Sequence, residues 1–289
     1  RHERGRAAVN WLTDEKLPIG AWAKSGVDWL TDNGAWFFGG LSAVLEAMID
    51  AILAVLQAPP PLVAVLIAAA LAYLVRRKVS FAVFVAASLL LILNQGYWEE
   101  TTETLSLVIA ASIVCMAIGV PLGVAAAHRP RLFAAMRPVL DLMQTIPTFV
   151  YLIPALILFG LGMVPGLIAT VVFAIPAPIR LTQLGVSSTP RQLIEAGEAF
   201  GATKSQLLWK VELPYALPQI MAGLTQTIML SLSMVVIAAL VGADGLGVPT
   251  LRALNTVNIA RGFEVGIAIV LIAIVLDRFF RNDGKEGRS

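Results

Sequence analysis

Charge is what this sequence has least of. Of its 289 residues 14% are charged and 58% hydrophobic, against roughly 25% charged in an ordinary soluble domain, and the mean hydropathy is +0.81. That balance excludes a soluble globular protein. A formal net charge of +2 gives no ground for nucleic acid as a partner, because the basic residues sit in short clusters beside apolar runs and form no single patch. Cysteine is nearly absent. Cys115 alone, inside an apolar stretch, excludes a disulfide framework within one chain and a multi-cysteine metal site, and reads as a small packed side chain. The histidines His2 and His128 make neither an HExxH pair nor a nucleophile-base constellation, so the case for a membrane enzyme is thin. No GxxxxGK[ST] occurs, and the glycine-rich VGADGLG at 241–247 lacks the Lys-Ser/Thr ending of a phosphate cradle. The chain cannot hydrolyse ATP alone. No apolar h-region precedes Phe37, so insertion is predicted to use internal spans.

What is abundant is long, charge-poor sequence. A spanning helix needs about 20 mainly apolar residues that satisfy their own backbone hydrogen bonds. The runs at 59–75, 79–96, 103–127, 146–162, 165–187, 217–241 and 264–281 meet that description, and an all-α integral membrane protein of about seven spans is predicted. Arg76, Arg77 and Lys78 form one basic turn, Arg129, Arg131 and Arg137 another, Arg191, Lys204 and Lys210 a third, and Arg278 with Arg281 closes the chain. The connections between them carry Glu99, Glu100 and Glu103 or few charges. Every second loop is basic, which predicts that 188–216 and the C-terminus are cytoplasmic.

Segment 37–57 is different. Glu46 and Asp50 share one helix face, opposite Phe37, Leu41, Val44, Leu45, Met48, Ile52, Val55 and Leu56. A carboxylate at the bilayer centre costs about 2.5–3.5 kcal/mol, so an amphipathic helix lying at the interface is expected, with an eighth span as the alternative. The division expected is a polar tail at 1–36, whose Trp11, Trp22, Trp29 and Trp36 suit a headgroup zone, then 37–57, a transmembrane domain at 59–281, and a tail at 282–289. No internal duplication is visible.

The most patterned stretch is STPRQLIEAGEAFGATKSQLLWKVELPYALP, between the spans ending near Ser187 and beginning near Leu217. Pro190 can open a helix, and Leu193, Ala196, Ala199 and Phe200 repeat along it at helical spacing. Gly201 fits its end. Thr203 can cap a second helix with Leu207, Leu208 and Val211 on one face, which Pro214 and Pro218 are expected to end. Such an element can transmit force.

These residues resemble the EAA loop of binding-protein-dependent ABC importer permeases, with consensus E-A-A, three residues, G, nine residues, I, one residue, L-P. Glu195, Ala196, Gly197, Gly201, Val211, Leu213 and Pro214 occupy those positions with the spacing intact. Gly197 for alanine and Val211 for isoleucine keep the small and β-branched character. The stretches at 141–166, 175–185 and 221–247 are similar to the glycine betaine, proline and choline branch. The resemblance implies a type I importer permease fold in a bacterial inner membrane. It also implies a second copy of the permease, two cytoplasmic ATPase subunits that carry ATP and Mg, and an extracytoplasmic binding protein. No cofactor is expected on this chain. In that reading Glu195 fixes the loop to the ATPase, Gly201 allows the bend, and Leu213 with Pro214 couple it to the next span.

A translocation path is expected where polar groups and helix breakers meet at membrane depth. Thr145, Pro147, Thr148, Tyr151 and Pro154 make one cluster, and Thr225, Gln226, Thr227, Ser231 and Ser233 another; packing through hydroxyl side chains explains both as readily. Phe149, Tyr151, Tyr97 and Trp98 could face a quaternary ammonium group. An ion-coupled secondary transporter is the nearest rival. It would need an intramembrane charge, which 103–127 and 146–175 largely lack.

Overall fold

The computed structural model describes residues 18–280, and among these all regular structure is helical. The expected tails, with His2 and Trp11 before residue 18 and Arg281 with 282–289 after residue 280, lie outside the described residues. Two compact units, 1–41 and 42–289, divide the chain, and helix α1 (Ile19–Gln57) has residues in both. Helix therefore begins well before Phe37. No proline interrupts 19–57, and the glycines that dilute its hydropathy each cost only about 1 kcal/mol, too little to stop a helix. Within the first unit, Trp22, Trp29 and Trp36 are exposed and share one side of the helix. Within the second, Leu45 and Ile49 are buried while Glu46 and Asp50 are exposed. Gln57 Nε2 donates to Thr102 Oγ1 at 2.9 Å.

Helices α2 (Pro61–Arg76) and α3 (Val79–Asn94) form a hairpin. Each has 16 residues, about 24 Å of helix against a hydrocarbon core of about 30 Å. Arg77 makes the turn in a left-handed conformation, φ 49°. Next come α4 (Trp98–His128), α5 (Pro130–Thr145) and α6 (Thr148–Phe159). The axis bends by 95° between α5 and α6, where Pro147 has no N–H to continue the ladder. α7 (Met163–Ala174) and α8 (Pro176–Ser187) follow almost without a break.

Beyond the patterned stretch run α11 (Leu213–Ala238), α12 (Gly247–Asn255) and α13 (Ile259–Phe280), with α9 (Arg191–Ala199) and α10 (Lys204–Leu207) before them. Each of the seven expected apolar runs is helical over most of its described residues. By length and apolarity, however, five helices among the described residues suffice to cross a membrane, or six if α5 and α6 are one bent span. The difference is one of helix length: α2 and α3 have 16 residues each, and the bend at Pro147 leaves α6 with 12.

α4, α8 and α11 form the centre, with α7 against α4 and α11. Small residues let their backbones approach. A Cβ on Gly123 of α4 would lie 2.6 Å from Thr182 Cβ and 2.7 Å from the Ile179 carbonyl oxygen of α8. Gly119 faces Pro178 and Gly185 faces Ala216 in the same way. GVPLG at 119–123 is thus a GxxxG stripe whose packing role the sequence reading did not draw out. The α2–α3 hairpin and α13 cover the outside of α4 and α11 through Val85, Leu89, Ile92, Val108, Leu232, Val265 and Ile272.

Candidate functional site

The patterned loop folds by its own local chemistry. α9 starts after Pro190 and ends at Phe200, and Gly201 takes φ +77° while its N–H donates to the Glu198 carbonyl at 2.8 Å. This is the left-handed helix end that favours glycine. Thr203 then caps α10 in a complete capping box: the Gln206 N–H donates to Thr203 Oγ1 at 3.3 Å and the Thr203 N–H donates to Gln206 Oε1 at 2.8 Å. Thr203→Ala removes this box, at an expected cost of about 1 kcal/mol. Hydrogen exchange should speed up at the amides of α10 while global unfolding barely moves.

The second helix does not end at Pro214 or Pro218, which corrects the expectation. α10 passes into a π-turn, Leu208–Glu212, and then directly into α11, with the Leu213 N–H bonding the Leu208 carbonyl. A prolyl ring at an ordinary α-turn would strike the carbonyl four residues back. The wider π-turn gives it room, so the loop helix and the long α11 become one body.

α9 folds back on this body. A Cβ on Gly197 would stand 2.5 Å from Leu207 Cδ2 and 3.9 Å from Val211 Cγ2, so alanine here requires the Leu207 side-chain tip to turn aside. Leu207 is buried, but Leu193, Phe200 and Trp209 are exposed, Phe200 to 93%. Ala196 and Glu195 are also exposed, and Glu195 pairs with Arg191 at 3.2 Å, a solvated contact worth little. Among the described residues the loop therefore offers an uncovered apolar surface, edged by Glu195, Glu198 and Lys210. Leu213 points the other way and packs, as do Val124 and Ala127 of α4, against the buried cluster of Val186, Ala216 and Ile220, and Pro214 is exposed at the start of α11.

Two residues that the sequence reading did not single out together meet here. Glu212 is 8% exposed, and the Nε2–H of His128, at the end of α4, donates to its Oε2 at 2.9 Å. A carboxylate between Val211 and Leu213 was the available signal. Its partner lies 84 residues away, beyond any local pattern.

The expected path residues fall into three places. Thr145, Pro147, Thr148 and Tyr151 gather at the α5–α6 bend, where the Tyr151 hydroxyl donates to the Met143 carbonyl at 2.6 Å and clasps the two arms. Gln226 and Ser233, with Gln219 and Ala222, lie along one exposed face of α11 at helical spacing. Ser231 lies on the packed side, fully buried, with its hydroxyl donating to the Thr227 carbonyl at 2.8 Å. The aromatic residues do not form one cage: Tyr97 and Trp98 pack in the cluster with α2, α3 and α13, whereas Tyr151 packs with Leu152 and Met234. Arg180 of α8 reaches Asp141 of α5 at 2.6 Å.

The family model described as "Binding-protein-dependent transport system inner membrane component" matches residues 119–282. The chain belongs to that family. This permease is 44% identical over 267 residues to the glycine betaine transport system permease protein OpuAB of Bacillus subtilis (strain 168), covering 92% of the chain and 94% of that protein. It is 42% identical over 276 residues to the glycine betaine/carnitine transport permease protein GbuB of Listeria monocytogenes serotype 1/2a (strain 10403S), covering 94% and 98%. The glycine betaine/proline betaine permease protein ProW of Escherichia coli (strain K12) is 41% identical over 273 residues, covering 94% of the chain and 77% of that protein. Among solved structures, an inward-facing form of the MetNI methionine ABC transporter superposes with a TM-score of 0.58 at 25% identity, covering 64% of the permease and 94% of that chain. The permease is a multi-pass inner-membrane protein with the fold of ABC importer permeases.

Proposed function

We propose that this permease moves quaternary ammonium osmoprotectants, glycine betaine and proline betaine first among them and choline next, into the cell, powered by ATPase subunits that dock on the loop at 190–214. The observation that carries the reading is a loop that keeps the EAA spacing, with Leu193 and Phe200 exposed and its second helix continuous with α11, in a chain aligned almost end to end with glycine betaine permeases. Two copies would face each other across the polar stripe of Gln219, Gln226 and Ser233, and an extracytoplasmic binding protein would deliver the solute. The loop is read as cytoplasmic because the basic turns fall beside it. ATP and Mg act on the partner subunits; this chain supplies Glu195 and the apolar surface of Leu193 and Phe200 as the contact, Gly201 as the bend, and α11 as the moving element. In this reading closure of the ATPases pulls both loops and opens the path outward, and hydrolysis resets it.

The test is reconstitution in vesicles with the ATPase and binding protein. ATP-dependent uptake of labelled glycine betaine, with ATPase stimulation by glycine betaine and proline betaine but not by methionine, is expected. Uptake driven by an ion gradient without ATP would overturn the reading in favour of a secondary transporter.

A further inference from the structure

We propose that His128 and Glu212 are positioning residues that tie the coupling loop to α4, so that its movement reaches the α4–α8 pair directly as well as along α11. This rests on the coupling role proposed for the loop. Glu212 closes the π-turn, and the extra residue in that turn rotates the chain after it by about 100° relative to an unbroken α-helix. Trp209, Lys210 and Pro214 around it are exposed while Glu212 is buried. Its carboxylate meets the ring of His128 at 2.9 Å, one residue from Leu213, which packs against the same buried cluster of Val186, Ala216 and Ile220 as Met116, Val120, Val124 and Ala127 of α4.

The two contacts do different things. Apolar packing is non-directional and lets neighbouring helices slide, whereas a hydrogen bond to a charged group fixes distance and angle. α4 is in turn locked to α8 where Gly119 and Gly123 meet Pro178, Ile179 and Thr182. A pull on Glu212 therefore has a rigid route to both helices. The consensus loop leaves the residue between its branched position and Leu-Pro unspecified, so this tie lies outside the motif.

The experiment measures solute transported per ATP hydrolysed by the reconstituted complex. Glu212→Ala and His128→Ala should each lower that ratio by about three- to tenfold, the shift that one ordinary net hydrogen bond supports when its donor is half in water, and the double variant should fall no further than either single one. Glu212→Gln, which keeps an acceptor, should recover most of the ratio. Parental ratios in the alanine variants, or additive losses in the double variant, would overturn the tie. His128→Phe decides the case in which the alanine variants fail to assemble. His128 is about half exposed and tolerates an apolar ring, so a parental ratio there overturns the proposal and a lowered one supports it. Gly201→Val separates the two ideas. If it uncouples while the pair variants do not, only the tie fails; if it does not uncouple either, the loop reading itself is wrong.

Discussion

Valine in place of Gly201 will leave the protein inserted and bound to its partners but will cut solute uptake several-fold while ATP hydrolysis continues. Gly201 has φ +77°, and a β-branched residue held there costs about 1–3 kcal/mol. A Cβ at this position has nothing within 4 Å, so the penalty is one of backbone conformation and not of collision. The chain relieves it by moving φ to a negative value, which releases the Gly201 N–H from the Glu198 carbonyl and swings α9 away from Leu207. Gly201→Asn should retain most coupling, because asparagine tolerates the left-handed region. Paired measurements of uptake and ATPase rate in vesicles check this. Equal loss with asparagine and valine would point to the side chain, and no loss with valine would remove the bend from the mechanism.

Gly123→Val should cause the largest loss of stability. Its Cβ would meet backbone, the Ile179 carbonyl oxygen at 2.7 Å, as well as Thr182 Cβ at 2.6 Å, and backbone in the middle of α8 cannot swing aside like a side-chain tip. Either α4 and α8 separate or one of them distorts. Overpacking of this kind costs roughly 1–3 kcal/mol, and at about 2–4 °C per kcal/mol the unfolding midpoint should drop by roughly 2–12 °C. Gly266→Val is the control. That glycine, on α13, has nothing within 4 Å of an added Cβ, so its midpoint in detergent should stay near the parent's. A similar midpoint for Gly123→Val would show that the α4–α8 contact is looser than its geometry.

What the sequence reveals of this protein divides along physical range. Gly201 and Thr203 act on groups within three residues of themselves, so the helix, hinge and cap of the loop are legible in one strand of letters. The apolar runs are legible for the same reason, since burial in lipid is a property of each helix by itself. Pro214 misleads because the π-turn that accommodates it has no residue signature, whereas proline has a strong one for stopping helices. Gln226, Ser231 and Ser233 look alike in a list of polar residues at membrane depth. Only the rotation of α11 separates the exposed pair from the buried Ser231. The clasp of His128 on Glu212 depends on two distant elements meeting, which no local pattern reports.

From Lys204 to Val241 the chain runs as 38 helical residues, so the loop and the far end of α11 belong to one rod about 57 Å long. A rod amplifies angle into distance: a tilt of about 5° at its base displaces the tip by about 5 Å over that length. The tip is not free. The Val241 carbonyl accepts a hydrogen bond from the Gly162 N–H at 2.9 Å, in a turn where Gly160 and Gly162 have φ of +78° and +133°. The displacement is thereby delivered to the turn between α6 and α7, whose two glycines have the backbone freedom to follow it.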